Sequence, residues 1–220
     1  MNTLTRSSAN SLAISKTLQN TYALLGLTIL FSALTCSISM AMNVQPFGFI
    51  TMLIGFYGLL FLVHKFSHSA LGLLFTFAFT GFIGATLAPL LSLIQTLHNG
   101  PMIVATALGG TGIIFLTLSA YTLITRHNFN YLQGFLFVAI IGSMLLGLAG
   151  YLFSMPILNL AMSGLFILIS SGLILFHTSE LVHGGERNYI LATVSLYIAL
   201  YNLFISLLTI LMAFSGNSRD

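Results

Sequence analysis

Charged side chains are scarce in this sequence. Only 4% of its 220 residues are Asp, Glu, Lys or Arg, whereas about 25% is usual in a soluble domain. Hydrophobic residues make up 57%. So few charges do not cover the surface of a water-soluble fold of this size, and the same composition excludes a disordered chain and a nucleic-acid-binding protein. We therefore predict a protein embedded in a lipid bilayer, with no nucleic-acid partner.

Cysteine and acidic residues are almost absent as well. The single cysteine, Cys36, lies in an apolar stretch and has no second cysteine with which to form an intrachain disulfide. Asp and Glu occur nowhere in the middle of an apolar stretch, and this argues against most ion pumps, which need acidic relays at that depth. There is neither an H-E-x-x-H zinc helix nor a G-x-S-x-G serine motif. We expect no catalytic activity and no cofactor.

Long apolar stretches fill most of the chain. A membrane-spanning helix needs about 20 apolar residues, and the stretches of suitable length are 21–42, 47–63, 70–91, 102–124, 131–153, 157–177 and 189–214. Strands of a membrane barrel alternate apolar and polar residues over about 10 positions, whereas these stretches are continuously apolar. The sequence predicts an all-α fold, a bundle of seven transmembrane helices over residues 21–214.

Proline and glycine positions fit this division. Pro46, Pro101 and Pro156 stand at or just before the start of a stretch, where proline fits the first helical turn. Pro89 lies near the end of the third stretch and is expected to kink or end that helix. Glycines inside the stretches predict close helix contacts. Examples are Gly81, Gly84 and the Gly109-Gly110-Thr111-Gly112 run.

The cations predict the orientation, because cytoplasmic loops are enriched in Lys and Arg. One set of connections carries Arg6, Lys16, Lys65, Arg126 and Arg187, whereas the opposite set carries Arg219 alone. We predict that residues 1–20 form a polar, unstructured cytoplasmic tail, followed by an uncleaved first span. Residues 215–220 are then a short tail on the other side of the membrane.

One segment differs from the rest because it is polar and titratable. The cluster contains His177, Glu180, His183, Glu186 and Arg187. On a continuing helix His177 and Glu180 are three residues apart and share a face, and Gly184-Gly185 would end that helix. Three interpretations stay open at this point: a protonation-sensitive cluster, a metal site formed by the two histidines and Glu180, and a solvated interfacial loop.

The last apolar stretch carries a polar stripe. Ser195, Asn202, Ser206 and Thr209 recur at helical spacing. Such groups should face the interior of the bundle, where they find partners. The stripe indicates either hydrogen bonds between helices or the lining of a polar pathway.

Three segments together carry a family resemblance: residues 77–84 with Pro89, Ile169–Ser179 and Asn188–Phe204. They are similar, in that order, to the third, sixth and seventh helices of the Bax-inhibitor/YccA family. The resemblance extends from Thr21 to Phe214 and is greatest to the proteobacterial YccA branch, in which a His-Gly-Gly-Glu turn like that at residues 183–186 also occurs.

The resemblance implies a seven-helix protein of the bacterial inner membrane, with its C-terminus in the periplasm. It further implies association with the membrane-anchored, ATP-dependent protease FtsH, and with its regulators, as a substrate and modulator that engages the protease through residues 1–20. Other members are pH-sensitive calcium leaks that use an acidic pair, and the corresponding positions here are His177 and Ala199. Neither residue is an acid, so the sequence departs from the leak branch at these positions. A cation leak gated by protonation at His177 stands as the alternative function, based on the other members and on the polar stripe, and calcium binding stays undecided.

Overall fold

The computed structural model describes residues 2–97, 99–152 and 156–216. These residues form α-helices and no strands. In chain order the helices are α1 (Asn2–Ala41), α2 (Phe49–Phe66), α3 (Ala70–Gln95), α4 (Gly100–Thr125), α5 (Leu132–Leu152), α6 (Pro156–His183) and α7 (Tyr189–Gly216). Each helix corresponds to one of the predicted apolar stretches, so the all-α prediction is confirmed.

Several boundaries differ from the prediction, among them the following. Residues 1–20 were expected to lack regular structure, but α1 is helical from Asn2 onward, so that expectation is wrong. Pro89 lies inside α3, which continues to Gln95, so the proline does not end the helix. Proline has no backbone N–H and so removes one helical hydrogen bond. In transmembrane helices, neighbouring helices and polar side chains satisfy the backbone group that is freed. Gly216 ends α7, and the remainder of the predicted 215–220 tail lies outside the described residues.

The helices have the length and composition of membrane spans. Within the described residues six of them qualify by length and hydropathy, and α5 contributes a shorter apolar segment, Leu132–Gly147. In α1 the qualifying segment is Ala13–Ala41. The chain is therefore a polytopic helical membrane protein.

The first of two compact units contains α1 to α3 together with Gly184–Tyr197. In this unit α3 packs against both α1 and α2. The ring of Phe79, fully buried, lies edge-on to Phe56 at a centroid distance of 5.4 Å. A Cβ at Gly84 would collide with the Ser32 carbonyl oxygen, so α1 and α3 approach as closely as their backbones permit.

The second unit contains Leu97–His183 and the part of α7 from Ile198 onward. Here α6 packs against α4 and α5. Leu136, Ile169 and Phe176 form the buried centre of the α5 and α6 contact. A Cβ at Gly172 would lie only 2.8 Å from Leu136 Cδ2.

The glycines bear out the predicted close contacts only in part. Gly81, Gly84 and Gly172 each face atoms that a Cβ would crowd. By contrast, a Cβ added at Gly109, Gly112 or Gly142 would have no atom within 4 Å. Glycine content therefore indicates close packing at some of these positions and not at others.

Candidate functional site

The end of α6 holds the first pair of the predicted cluster. His177 Nδ1 lies 3.4 Å from Glu180 Oε2, and both side chains are partly exposed, at 21% and 31%. This contact confirms that the two residues share a helical face, as their spacing of three predicts. The pair is an ion pair when His177 is protonated, and partial exposure keeps its contribution small.

His183, the last residue of α6, makes different contacts. Its Nδ1 lies 2.8 Å from the Ser179 carbonyl oxygen, and its Nε2 lies 3.0 Å from the Arg126 carbonyl oxygen. Arg126 caps α4 with a left-handed backbone, φ 50°. The ring therefore connects the C-terminal end of α6 to the link between α4 and α5.

Ser179 strengthens this connection. Its hydroxyl oxygen accepts the Phe129 N–H at 3.0 Å and lies 3.3 Å from the His127 carbonyl oxygen, to which it donates. Both Ser179 and Phe129 are buried. The α4–α5 link, residues 126–131, is thus hydrogen-bonded to α6 through two side chains one turn apart, Ser179 and His183.

The remaining two residues of the cluster lie in the turn before α7. Glu186 Oε1 accepts the Asn188 N–H at 2.7 Å, and Arg187 Nε donates to the Gly184 carbonyl oxygen at 3.5 Å. Asn188 in turn accepts the Ile190 N–H at 2.9 Å and so caps α7. The described contacts thus divide the five predicted residues into three groups. His177 pairs with Glu180, His183 contacts the α4–α5 link, and Glu186 and Arg187 bond backbone groups in the turn before α7.

No group of three or more His, Cys, Asp or Glu side chains within the described part of the chain is arranged to hold a metal ion. His183 has both ring nitrogens occupied by carbonyl oxygens, as described above. A metal held by His177, Glu180 and His183 therefore has no support in these contacts.

The polar stripe of α7 is partly buried. Ser206 is buried, whereas Ser195 and Asn202 are intermediate in exposure. Thr209 donates to the Ile205 carbonyl oxygen one turn earlier, at 2.8 Å, and so makes a bond within its own helix. Ala199, which the sequence resemblance aligns with the second acidic position, is completely buried.

Among the described contacts, hydrogen bonds from α7 and its cap to other elements come from residues outside the stripe. The Tyr197 hydroxyl lies 2.7 Å from Ser32 Oγ and donates to the Thr80 carbonyl oxygen at 3.3 Å, so it connects α7 with α1 and α3. The Asn188 amide donates to the Ser67 carbonyl oxygen at 3.0 Å. The sequence analysis assigned neither Tyr197 nor Asn188 a partner in another element. An asparagine directly before an apolar stretch was the available signal for the cap.

Comparison with known proteins adds a family and close relatives. Residues 14–216 match the family model described as Inhibitor of apoptosis-promoting Bax1. The chain is 48% identical over 200 residues, 91% of each chain, to the Escherichia coli K12 protein named Modulator of FtsH protease YccA. It has the same identity to the protein named Inner membrane protein YccA from E. coli O6:H1. A membrane protein of Vibrio cholerae is 40% identical over 99% of this chain and 98% of its own length.

Proposed function

Because this chain belongs to the family described as Inhibitor of apoptosis-promoting Bax1, we propose that it modulates the membrane-anchored, ATP-dependent protease FtsH. One observation carries this proposal: the 48% identity, over 91% of both chains, to the E. coli modulator of that protease. In this proposal the protein binds the protease as a substrate and modulator and has no catalytic activity of its own.

The inner membrane of a bacterium is the proposed location, since one relative carries that location in its name. We propose seven spans. The six long apolar helices support this count, and α5, with 21 residues, is about 30 Å long at 1.5 Å per residue, which is the thickness of the hydrocarbon core. An odd number of spans with Lys16 and Lys65 on the cytoplasmic side puts the C-terminus in the periplasm.

A calcium leak is disfavoured by the residues at the family's acidic-pair positions. His177 contacts Glu180, and Ala199 is completely buried and has no polar side chain. Two adjacent carboxylates share a proton and hold a divalent cation, whereas a histidine paired with one carboxylate lacks that donor set. For this reason the protease modulator is preferred over the leak.

The N-terminal segment is the proposed handle for the protease. Ile14 lies against Gly184, since a Cβ on Gly184 would be 3.1 Å from Ile14 Cδ1, and for this reason we propose a handle shorter than residues 1–20. Residues 2–12 precede both this contact and the first candidate span, which begins at Ala13. We propose that the protease engages residues 2–12 and that the helix beyond them stays docked.

Deleting residues 2–12 tests the handle in cells. The deletion retains Ile14 and the orientation signal Lys16, so insertion should be unchanged. We expect the half-life of the shortened protein to increase several-fold in cells that contain the protease. In cells depleted of the protease, the full and shortened proteins should decay alike. If the full and shortened proteins have equal half-lives in cells that contain the protease, residues 2–12 are not the segment that the protease engages.

A further inference from the structure

Helix α2 exposes most of its side chains. The structure describes all of α2, and Val63 is its only buried residue. Ile54, Gly58 and Phe61 lie on one exposed face, because they follow one another at intervals of about one helical turn. A Cβ added at Gly58 would have no atom within 4 Å, so the face is indented between the two large side chains. In a membrane protein such a face meets lipid.

Lys65 stands at the end of the same face. It follows Phe61 by one helical turn, and both side chains are exposed. The Lys65 Nζ lies 5.7 Å from the centroid of the Phe66 ring, a cation–π contact that holds the charge beside the last turn of α2. From Ile54 to Lys65 the face is about 16 Å long at 1.5 Å per residue, which is about half the thickness of the hydrocarbon core. The face thus has the length of one lipid leaflet, with a cation at its end.

A second cation, Arg187, belongs to the same end of the first compact unit. Its neighbour Asn188 donates to the carbonyl oxygen of Ser67, the residue that caps α2, at 3.0 Å. Glu186, the only acid in the described residues of this unit, accepts the Asn188 N–H. No ion pair among the described contacts includes Lys65 or Arg187. No carboxylate contact within the described chain therefore neutralises either cation.

The charge and the apolar length together indicate what binds to this face. Anionic lipid headgroups are attracted to Lys and Arg at the membrane surface, and the acyl chains of such a lipid match the apolar part of the face. A free phosphate ion would contact Lys65 and leave the indentation at Gly58 empty. A second copy of this chain, packed here by twofold symmetry about the membrane normal, would bring two Lys65 side chains together, and like charges repel. An anionic phospholipid is therefore the occupant whose chemistry matches.

We propose that this face of α2 is a binding site for one anionic phospholipid. The phosphate lies against Lys65, and Arg187 adds to the positive potential. One acyl chain runs along Phe61 and the indentation at Gly58 to Ile54. Zwitterionic phospholipids bind more weakly, because their own ammonium group offsets the attraction between the phosphate and these cations. The site is independent of the proposed protease partner.

Quenching of an introduced tryptophan tests the site. The chain contains no tryptophan, and Phe61 is 64% exposed, so Phe61→Trp adds a single fluorophore to the face. The full-length variant is reconstituted in phosphatidylcholine vesicles with brominated phosphatidylglycerol or brominated phosphatidylcholine at equal mole fraction. We expect phosphatidylglycerol to bind about fivefold more tightly, the effect of one cation near a membrane surface. Adding Lys65→Gln should remove most of this preference, and adding Arg187→Gln should reduce it.

Phe137→Trp is the matched control. Phe137 is 65% exposed and is as far from the start of α5 as Phe61 is from the end of α2, but no Lys or Arg stands one turn away. Both lipids should quench this control equally.

Three results would overturn the proposal. The first is equal quenching by the two lipids in Phe61→Trp, or a preference that survives Lys65→Gln. The second is weak quenching by both lipids relative to the control, which would show that protein covers the face. The third is loss of the preference when inorganic phosphate replaces chloride at constant ionic strength, which would show a site for a free anion.

Discussion

At the residue scale, Gly84 shows how one missing methyl group sets the distance between two helices. A Cβ at this position would collide with the Ser32 carbonyl oxygen and would lie 2.6 Å from Thr35 Oγ1. The colliding atom belongs to the backbone of α1 and has no alternative rotamer. Relief therefore requires α1 and α3 to move apart, which also strains the bond between Ser32 and Tyr197.

Gly84→Ala should consequently destabilise the protein. Overpacking costs about 1–3 kcal/mol, and this outweighs the gain of about 1 kcal/mol that alanine brings to a helix. We expect a lower melting temperature in a fixed detergent. Gly109→Ala is the control, because a Cβ added there would have no atom within 4 Å, and its melting temperature should stay the same or rise. A Gly84→Ala protein as stable as that control would contradict the close approach.

The residue scale also shows which contacts a sequence can predict. His177 and Glu180 are three positions apart on one helix, so helical geometry alone predicts their contact, and the 3.4 Å distance confirms it. The Arg126 partner of His183 is 57 positions away, and Ser32 is 165 positions from Tyr197. Such pairs depend on how helices pack, and no local pattern encodes that arrangement.

At the element scale, hydropathy predicted where the apolar helices lie but not how far they extend. The stretch 157–177 became Pro156–His183, and the stretch from residue 21 became a helix that begins at Asn2. A hydropathy window detects lipid-compatible residues and is insensitive to polar helical turns beyond the bilayer. The extension of α6 has a visible cause, since Ser179 and His183 fasten its last turns to the α4–α5 link.

Helix α5 decides the number of spans and therefore the side of the C-terminus. Its apolar segment, Leu132–Gly147, is shorter than those of the other helices. If α5 spans, a reporter fused within residues 126–131 should be cytoplasmic, and one fused after residue 216 should be periplasmic. The paired activities of alkaline phosphatase and a cytoplasmic reporter measure both positions. A cytoplasmic C-terminal reporter would show an even number of spans and would contradict the charge-based orientation.

At the scale of the whole molecule, the sequence similarity to a protease modulator extends over nearly the full chain. The identity of 48% extends over 91% of both proteins, and the family match runs from residue 14 to residue 216. The bundle itself carries very few charges, so specific recognition by a partner depends on the polar ends of the helices and on contacts between spans. The N-terminal segment and the turns that hold His183 and Asn188 are among the described polar ends, as are the end of α2 with Lys65 and the link with Arg126.

Co-purification from native membranes tests the proposed partnership most directly. The protein, tagged at its C-terminus and expressed at its natural level, is captured in mild detergent, and the captured proteins are identified by mass spectrometry. An unrelated polytopic protein with the same tag serves as the control. We predict that the FtsH-type protease is enriched with this chain and not with the control. Full recovery of the tagged bundle without the protease, under conditions that keep known protease complexes intact, would contradict the proposed function.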